Sequence, residues 1–171
     1  GLAAPNGNCS VGHYCPTGTV SPTDTACPAG RFTDSIHAAQ LEDCELCPAG
    51  FACGFATGGI ITKQVCAEGH YCPIGTGSPT ANRCPAGTYL PGNLGVAITD
   101  CIDCPAGSYC DGGRGFISGP CSTGYYCPAR TNHSMLYPCP AGKYNPLTNG
   151  VSAASCSDCP TGSFCPLGSA A

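Results

Sequence analysis

Three short stretches of the chain carry the residue pattern best suited to chemistry, two cysteines separated by two residues. They read CELCPAGFAC at 44–53, CIDCPAGSYC at 101–110 and CSDCPTGSFC at 156–165. Such a pair is compatible with half of a zinc site, with a redox-active dithiol, or with the ends of two different disulfides. The rest of the sequence discriminates among the three.

Neither zinc nor redox chemistry suits these pairs. Zinc needs four ligands within tetrahedral reach, but the pairs are widely separated along the chain. Histidine does not complete them, because His37 has no counterpart elsewhere and Tyr125 stands where His13 and His70 would recur. A thioredoxin-like dithiol needs a helix N-terminus in an α/β frame, and no such pattern is visible. We therefore expect disulfides, with no metal and no cofactor.

Composition supports this interpretation. The 171 residues include 18 cysteines, 25 glycines and 17 prolines, and only 9% are charged. This is the composition of a disulfide scaffold with a thin apolar core, and it predicts an oxidising, extracellular or cell-surface location. No apolar run is long enough to insert into a membrane. The net charge of −4 and the scattered cations argue against nucleic acid as a partner.

The cysteines form three groups of six, which begin at Cys9, Cys66 and Cys121. Within each group the steps are 6, 12, 17, 3 and 6, without deviation. This regularity predicts three tandem modules, residues 1–57, 58–114 and 115–171. The absence of an initiator Met and of a signal peptide adds the expectation that the chain is a segment of a longer secreted protein.

Two further features recur with the cysteines. Cys-Pro-x-Gly predicts a type I turn with proline second and glycine fourth. Gly-x-aromatic follows the turns, and we expect each ring to pack over the neighbouring disulfide; a row of exposed rings that stack on a glycan or peptide is the alternative. The aromatic residues concerned are Tyr14, Phe32, Tyr71, Tyr89, Tyr109, Tyr126, Tyr144 and Phe164.

The predicted fold class is small and disulfide-rich, mostly irregular with short β-strands, in an elongated rod of tandem modules. Residues 54–65 predict a hairpin around Gly58-Gly59. Short β-ladders are expected in the three 17-residue loops. Almost no helix is expected, the best candidate being one turn within 35–44.

The pattern C-P-A-G-x-Y-x11-C-x-x-C-P-A-G-x-Y-C resembles the cysteine-rich repeats called ephrin-receptor-like, which are themselves similar to tumour-necrosis-factor-receptor modules. In such modules the long loop closes on itself and the next four cysteines pair in a crossed manner. The resemblance thus implies Cys27–Cys44, Cys84–Cys101 and Cys139–Cys156 as closed loops, and Cys47–Cys66, Cys53–Cys72, Cys104–Cys121 and Cys110–Cys127 as crossed pairs.

The four remaining cysteines are Cys9, Cys15, Cys159 and Cys165. If the pattern continues, preceding and following modules supply their partners, and the chain is a window on a longer array. The alternative is that each end pair closes a small local loop, which would count against that hypothesis.

Surface modification is predicted at a few polar positions. Asn132 and Asn8 begin N-x-S sequons, and Ser-Pro-Thr recurs at 21–23 and 78–80, making Ser21, Thr23, Ser78 and Thr80 candidates for O-glycosylation. Unmodified polar loops are the alternative. The acidic residues Glu42, Asp43 and Glu45 are too few for a calcium cage.

Two functions from different classes remain. The first is a structural repeat segment of an extracellular glycosylated fibril, surface coat or flagellar-hair-like appendage, with further copies of the same repeats and glycans as partners. The resemblance implies this kind of protein, because similar repeats occur in large surface and appendage proteins of protists and algae. The second is a ligand-binding, cysteine-rich ectodomain of a receptor or adhesion protein. No catalytic motif recurs, so we do not expect an enzyme.

Overall fold

The computed structural model describes residues 7–55 and 61–170. Within these residues the regular structure comprises fourteen short strands, in seven two-stranded sheets each formed by consecutive strands, and three 3-10 turns. No α-helix occurs within those two ranges. The predicted disulfide-rich, mostly irregular fold with short β-strands is therefore confirmed.

Most strands are two residues long, and all the sheets with a resolved register are antiparallel. The strands are β1 (Arg31–Phe32), β2 (Glu45–Leu46), β3 (Phe51–Phe55), β4 (Ile61–Val65), β5 (His70–Tyr71), β6 (Asn82–Arg83), β7 (Thr88–Tyr89), β8 (Ile102–Asp103), β9 (Ser108–Tyr109), β10 (Gly119–Pro120), β11 (Tyr125–Tyr126), β12 (Tyr137–Pro138), β13 (Lys143–Tyr144) and β14 (Ser157–Asp158).

Each sheet is one hairpin, and an antiparallel bridge between His13 and Ala26 makes a shorter hairpin before the first. We number the hairpins from 1 to 8 along the chain: 13–26, 31–46, 51–65, 70–83, 88–103, 108–120, 125–138 and 143–158. One repeat of the six-cysteine pattern therefore contains three hairpins.

Two local predictions are confirmed. Strands β3 and β4 form the hairpin expected in 54–65, with Phe51 opposite Val65 and Phe55 opposite Ile61; its Gly58-Gly59 lies outside the described residues. The three 17-residue loops carry the expected short ladders β1–β2, β7–β8 and β13–β14.

The expected helical turn is a single 3-10 turn, Leu41–Asp43, inside the 35–44 candidate. Equivalent 3-10 turns occur at Ile98–Asp100 and Ala153–Ser155, which sequence reasoning did not predict. Each turn ends directly before the second cysteine of a 17-residue loop. The three turns therefore share one position relative to the disulfide that closes each loop.

All eighteen cysteines are in disulfides, and none is free. Three bonds close 17-residue loops, and they are the same three pairs that the resemblance implies: Cys27–Cys44, Cys84–Cys101 and Cys139–Cys156. The other six join cysteines six residues apart: Cys9–Cys15, Cys47–Cys53, Cys66–Cys72, Cys104–Cys110, Cys121–Cys127 and Cys159–Cys165.

The crossed pairing implied by the resemblance is therefore wrong for this chain. Cys47 is bonded to Cys53 and not to Cys66, and Cys66 is bonded to Cys72. Likewise Cys104 is bonded to Cys110 instead of Cys121, which is bonded to Cys127. The physical reason is the turn that ends in a glycine three residues after the first cysteine of each local pair, with or without proline, which reverses the chain. It brings Cα of Cys53 to 5.7 Å from Cα of Cys47, within the range a disulfide spans.

The end pairs follow the same rule. Cys9 is bonded to Cys15 and Cys159 to Cys165, so neither pair needs a partner from another module. The expectation that neighbouring modules complete these four cysteines is wrong. The array hypothesis loses the support it drew from unpaired ends.

The core consists mainly of half-cystines. Cys44, Cys47, Cys53 and Cys66 are fully buried, with no exposed surface, and few aliphatic side chains are buried. The described residues form two compact units: unit 1 within 1–67, 71–82 and 94–97, and unit 2 within 68–70, 83–93 and 98–171. Each unit is held together by disulfides and backbone hydrogen bonds in place of a large apolar interior.

Candidate functional site

A Cys-Pro-x-Gly turn leads from one hairpin to the next at five places, which begin at Cys27, Cys47, Cys84, Cys104 and Cys139. After hairpin 1, the N–H of Arg31 donates to the carbonyl oxygen of Pro28 at 2.9 Å, so Gly30 is the third residue of the turn. Its φ of +85° is what a type II turn requires at that position. The type I turn predicted to start at the cysteine is therefore wrong, because the hydrogen bond closes on the proline carbonyl one residue later.

The glycine at this turn position is hydrogen-bonded through both of its backbone groups, as Gly87 illustrates. The N–H of Gly87 donates to the carbonyl of Cys110 in hairpin 6 at 2.7 Å, and its carbonyl accepts the N–H of Cys104, at the end of hairpin 5, at 2.9 Å. We call such a residue a junction glycine. The junction glycines that make both bonds are Gly12, Gly30 and Gly50 in unit 1, and Gly69, Gly87, Gly107, Gly124 and Gly142 in unit 2.

The cysteine that closes each hairpin is also disulfide-bonded to the next hairpin. In two of every three junctions, the bond runs to a cysteine in the first strand or directly after it, as from Cys104 to Cys110. In the third, it closes a 17-residue loop and reaches the residue before the second strand. At those junctions the site six residues after the closing cysteine is filled by a different buried residue: Thr33, Leu90 or Asn145. Every hairpin is thus joined covalently to its successor.

Most junction glycines, though not Gly142, also meet a loop further along the chain, which for Gly30, Gly87 and Gly107 is the loop of the hairpin two places on. A Cβ on Gly30 would collide with the carbonyl oxygen of Gly75, and one on Gly87 with that of Arg130. For Gly107 the ideal Cβ lies 2.8 Å from the carbonyl oxygen of Asn149. Only glycine fits such a backbone-to-backbone contact, so the junction depends on glycine both for its φ and for its size.

The loop residue that lies against a junction glycine has a left-handed backbone. Three of these loop residues are not glycine: Leu94, Arg130 and Asn149 have φ of 76°, 67° and 66°. Arg130 replaces glycine in the only Cys-Pro-x-x turn that lacks it, yet its N–H still donates to the carbonyl of Cys104 at 2.9 Å. The chain therefore keeps the junction geometry at a steric cost of about 1–2 kcal/mol at such a residue.

The aromatic residues after the turns lie at the same junctions. Tyr14 and Phe32 pack against the buried Cys27–Cys44 bond, as predicted. In hairpin 3 the shift of the aromatic residue by one place leaves Ala52 at this position, where it packs with Cys66 and Cys72. Phe164 is 86% exposed, so the prediction that its ring packs over the neighbouring disulfide is wrong.

The candidate N-glycosylation sites differ in their surroundings. Asn132 is exposed in the loop of hairpin 7, between β11 and β12, and His133 beside it is exposed too. Asn8 is exposed, but the next residue of its sequon, Cys9, is buried and bonded to Cys15. Asn132 is therefore the more accessible acceptor.

The candidate O-glycosylation sites lie in the loops of hairpins 1 and 4. In both loops the serine and threonine hydroxyls contact each other, at 3.2 Å for Ser21 with Thr23 and 3.3 Å for Ser78 with Thr80. Both hydroxyl contacts lie at the protein surface. The two Ser-Pro-Thr segments thus share one conformation.

An acidic cleft of about 590 Å3 lies in unit 1, beside β1 and β2. Asp34, Glu42, Asp43 and Glu45 line it together with Lys63, whose Nζ is 3.4 Å from Asp34. The carboxylate of Asp43 accepts two backbone N–H groups of the preceding turn and is a structural group. Among the described residues, no cluster of His, Cys, Asp or Glu has the arrangement of a metal site.

One carboxylate outside that cleft has an altered acidity. In the loop of hairpin 6, Asp111 accepts hydrogen bonds from the hydroxyl of Ser118 at 2.6 Å and from Arg114 at 2.7 Å. First the Ser118 hydrogen bond and then the one from Arg114 lower the pKa of Asp111 below its ordinary value. Because Ser118 in turn accepts the N–H of Asp111 at 2.9 Å, the network braces the loop.

Within the described residues, no helix has both the length and the apolar character to cross a bilayer. No protein-family model matches the chain, and no curated protein matches it. The geometry of the junctions is therefore the main guide to function.

Proposed function

We propose that this chain is a structural repeat segment of an extracellular, glycosylated assembly such as a fibril, a surface coat or a flagellar-hair-like appendage. The observation that supports the proposal is the recurrence of one junction. Each junction combines a disulfide with two backbone hydrogen bonds on a glycine, and the junctions at Gly30, Gly87 and Gly107 add a close approach to the hairpin two places on. A polymer needs equivalent units that hold each other, and in this chain each hairpin is bonded to its successor by a disulfide.

The extracellular location rests on the nine disulfides, which persist in oxidising compartments. The exposed sequon at Asn132 and the surface Ser-Pro-Thr loops support glycosylation. Glycans would also add polar surface to a chain that exposes many apolar side chains, among them Val20 at 94%.

A binding role for the chain is the alternative. The observation in its favour is the acidic cleft of unit 1, with four carboxylates around one lysine. Such a cleft is compatible with a basic segment of a protein ligand. One of its carboxylates is engaged in a turn and another is paired with the lysine, so we favour the structural role.

Negative-stain microscopy of native material tests the proposal, with an antibody raised against the chain as a label. Regular fibrils or coats labelled at a constant spacing would support it. Isolated monomers that bind a protein ligand saturably would overturn it. In that case, charge reversal at Asp34 and Glu45 should lower the affinity for the ligand.

Glycosylation is tested separately by secretion from eukaryotic cells. Asn132→Gln should remove one N-glycan from the intact mass, and the Ser134→Ala variant, which keeps Asn132 and breaks the sequon, should do the same. An unchanged mass in both variants would refute glycosylation at this site.

A further inference from the structure

Two tyrosine rings lie against each other across the strands of hairpin 7. Tyr126 of β11 stands directly opposite Tyr137 of β12, their ring centroids are 5.7 Å apart, and the ring planes differ by 24°. Directly opposite residues of an antiparallel pair have Cβ atoms about 4.5–5.5 Å apart and share one face of the sheet. We propose that Tyr126 and Tyr137 form a site of oxidative cross-linking, at which a peroxidase and hydrogen peroxide join the two phenol rings by a carbon–carbon bond.

Hairpin 7 differs from the other hairpins in the residue that faces its first-strand aromatic. In five other hairpins of known register, the residue opposite the aromatic is not aromatic. These pairs are Phe32 with Glu45, Phe51 with Val65, Tyr89 with Ile102, Tyr109 with Gly119 and Tyr144 with Ser157. Within the described chain, Tyr126 and Tyr137 are the one pair of tyrosines with their rings in contact. Hairpin 7 therefore places a second phenol where the repeat elsewhere has an unreactive side chain.

The arrangement of the two rings suits coupling at their edges. Nearly parallel rings with this separation are offset, as aromatic pairs prefer, so that ring edges lie beside each other. The carbons ortho to each hydroxyl are edge carbons. Because χ2 of tyrosine is a broad, two-fold torsion, a small rotation of either ring can bring two ortho carbons together.

An oxidant can also reach the pair. Tyr137 is 40% exposed, and Tyr126 is half-buried beside it. Since the rings are in contact, an electron removed from Tyr137 can be replaced from Tyr126, and Tyr137 can then be oxidised again. The exposed ring thus gives access to both.

The reaction balances with hydrogen peroxide as the oxidant. Each phenol loses one electron and one proton to the peroxidase and becomes a phenoxyl radical. The radicals form one bond between ortho carbons, and each ring then transfers the hydrogen of that carbon to its oxygen, which restores the phenol. The protein loses two hydrogen atoms in total. The peroxide accepts the two electrons and two protons, and its oxygen–oxygen bond breaks to give two waters.

The new bond would add a closure that the disulfides do not supply. Cys127 is bonded back to Cys121 and Cys139 forward to Cys156, so no disulfide joins β11 directly to β12. The cross-link closes the loop between these strands, which carries Asn132. Thiols do not cleave a carbon–carbon bond, so hairpin 7 would stay closed in a reducing agent that opens the disulfides. This inference does not depend on the proposed function.

The experiment is oxidation of the intact chain at low micromolar concentration by a haem peroxidase with hydrogen peroxide. The monomer is then isolated, reduced, alkylated, deglycosylated and digested with trypsin, which places Tyr126 in the peptide 115–130 and Tyr137 in 131–143. We expect these two peptides to be joined, with the fluorescence of dityrosine and a mass lower than their sum by two hydrogen atoms.

Tyrosine-to-phenylalanine variants identify the rings that react. Tyr126→Phe and Tyr137→Phe keep an aromatic ring but lack the phenol, and each should lose the joined peptide. Tyr125→Phe is the matched control on the same strand, because Tyr125 stands opposite Pro138 and should leave the yield unchanged.

Four results would overturn the inference. They are the absence of the joined peptide from oxidised monomer, fragment masses that place the bond on Tyr125, an undiminished yield in Tyr126→Phe, and coupling only between separate molecules. Native material should contain the same joined peptide. Its absence there would also overturn the proposal, because the pair would then react only with added oxidant.

Discussion

Replacing Gly87 by alanine tests whether the junction depends on glycine for its size as well as for its φ. Gly87 has φ of +89°, and an added Cβ would collide with the carbonyl oxygen of Arg130. Gly142 is the matched control, because it lies in the same Cys-Pro-Ala-Gly turn, has φ of +83° and has open space around the Cβ position. Both make equivalent hydrogen bonds, so the two variants differ in the collision.

The magnitudes follow from these two terms. A left-handed backbone costs a non-glycine residue about 1–2 kcal/mol, and both alanine variants bear this cost. Forcing an atom into a packed contact costs about 1–3 kcal/mol more, and only Gly87→Ala bears this second cost. Because about 1.4 kcal/mol is tenfold in an equilibrium constant, the two variants should differ by about tenfold or more in local opening.

Native-state hydrogen exchange with the disulfides intact is the assay, at protein concentrations low enough to keep the chain monomeric. A repeat array need not unfold in one step, so local exchange is more informative than a global midpoint. The reporter for Gly87→Ala is the amide of Cys104, and the reporter for Gly142→Ala is the amide of Cys159. An equal increase in the exchange rate at both amides would refute the role of the close approach. Only the cost of the left-handed backbone would then remain.

Three further predictions concern other parts of the molecule. Tryptic digestion without reduction should cleave after Lys63, Arg83, Arg114 and Arg130. It should release residues 64–83 and 115–130 as separate peptides, each lighter than its reduced form by two hydrogen atoms. Crossed pairing would leave each of them attached to a neighbouring peptide. Arg130→Gly should stabilise hairpin 7 by about 1 kcal/mol, measured by hydrogen exchange at the amide of residue 130. The substitution removes the steric cost of a left-handed backbone and loses only an exposed ion pair with Asp103. A destabilised variant would contradict this. Asp111→Asn should raise exchange in the hairpin 6 loop at neutral pH by a few-fold at most, because the carboxylate is exposed and screened. Since the pKa of Asp111 is lowered in the folded chain, that difference should be full above pH about 4 and vanish as the pH falls through the folded value; a difference that persists at low pH would refute it.

The sequence predicted the strands of the 17-residue loops because Gly and Pro breaks bracket apolar residues there. It did not predict the turn type, since glycine fits either the third or the fourth position until the donor is known. The spacing of Cys47, Cys53, Cys66 and Cys72 is equally compatible with local and crossed pairing. Only the chain reversal at the turn, a three-dimensional feature, selects the local bonds.

The sequence also contains a shorter repeat, of one hairpin, which the cysteine spacing does not show. The cysteine steps of 6, 12, 17, 3 and 6 are unequal and recur only after three hairpins, so the cysteine pattern shows only the longer period. The junction glycines show the shorter one, because Gly12, Gly30, Gly50 and Gly69 follow one another at nearly equal intervals, each close to a third of the longer period. Recognising it required knowing that each of these glycines bonds to a cysteine at the end of the same hairpin.

The exclusively local disulfides have a mechanical consequence. When the chain is pulled from its two ends, each oxidised loop carries the tension through its sulfur–sulfur bond, and the residues inside the loop do not lengthen. The loops together enclose about half of the residues, so full extension at about 3.3–3.6 Å per residue applies only to the other half. Stretching should therefore stop at a short, fixed limit, and a reducing agent should double the reach of the chain.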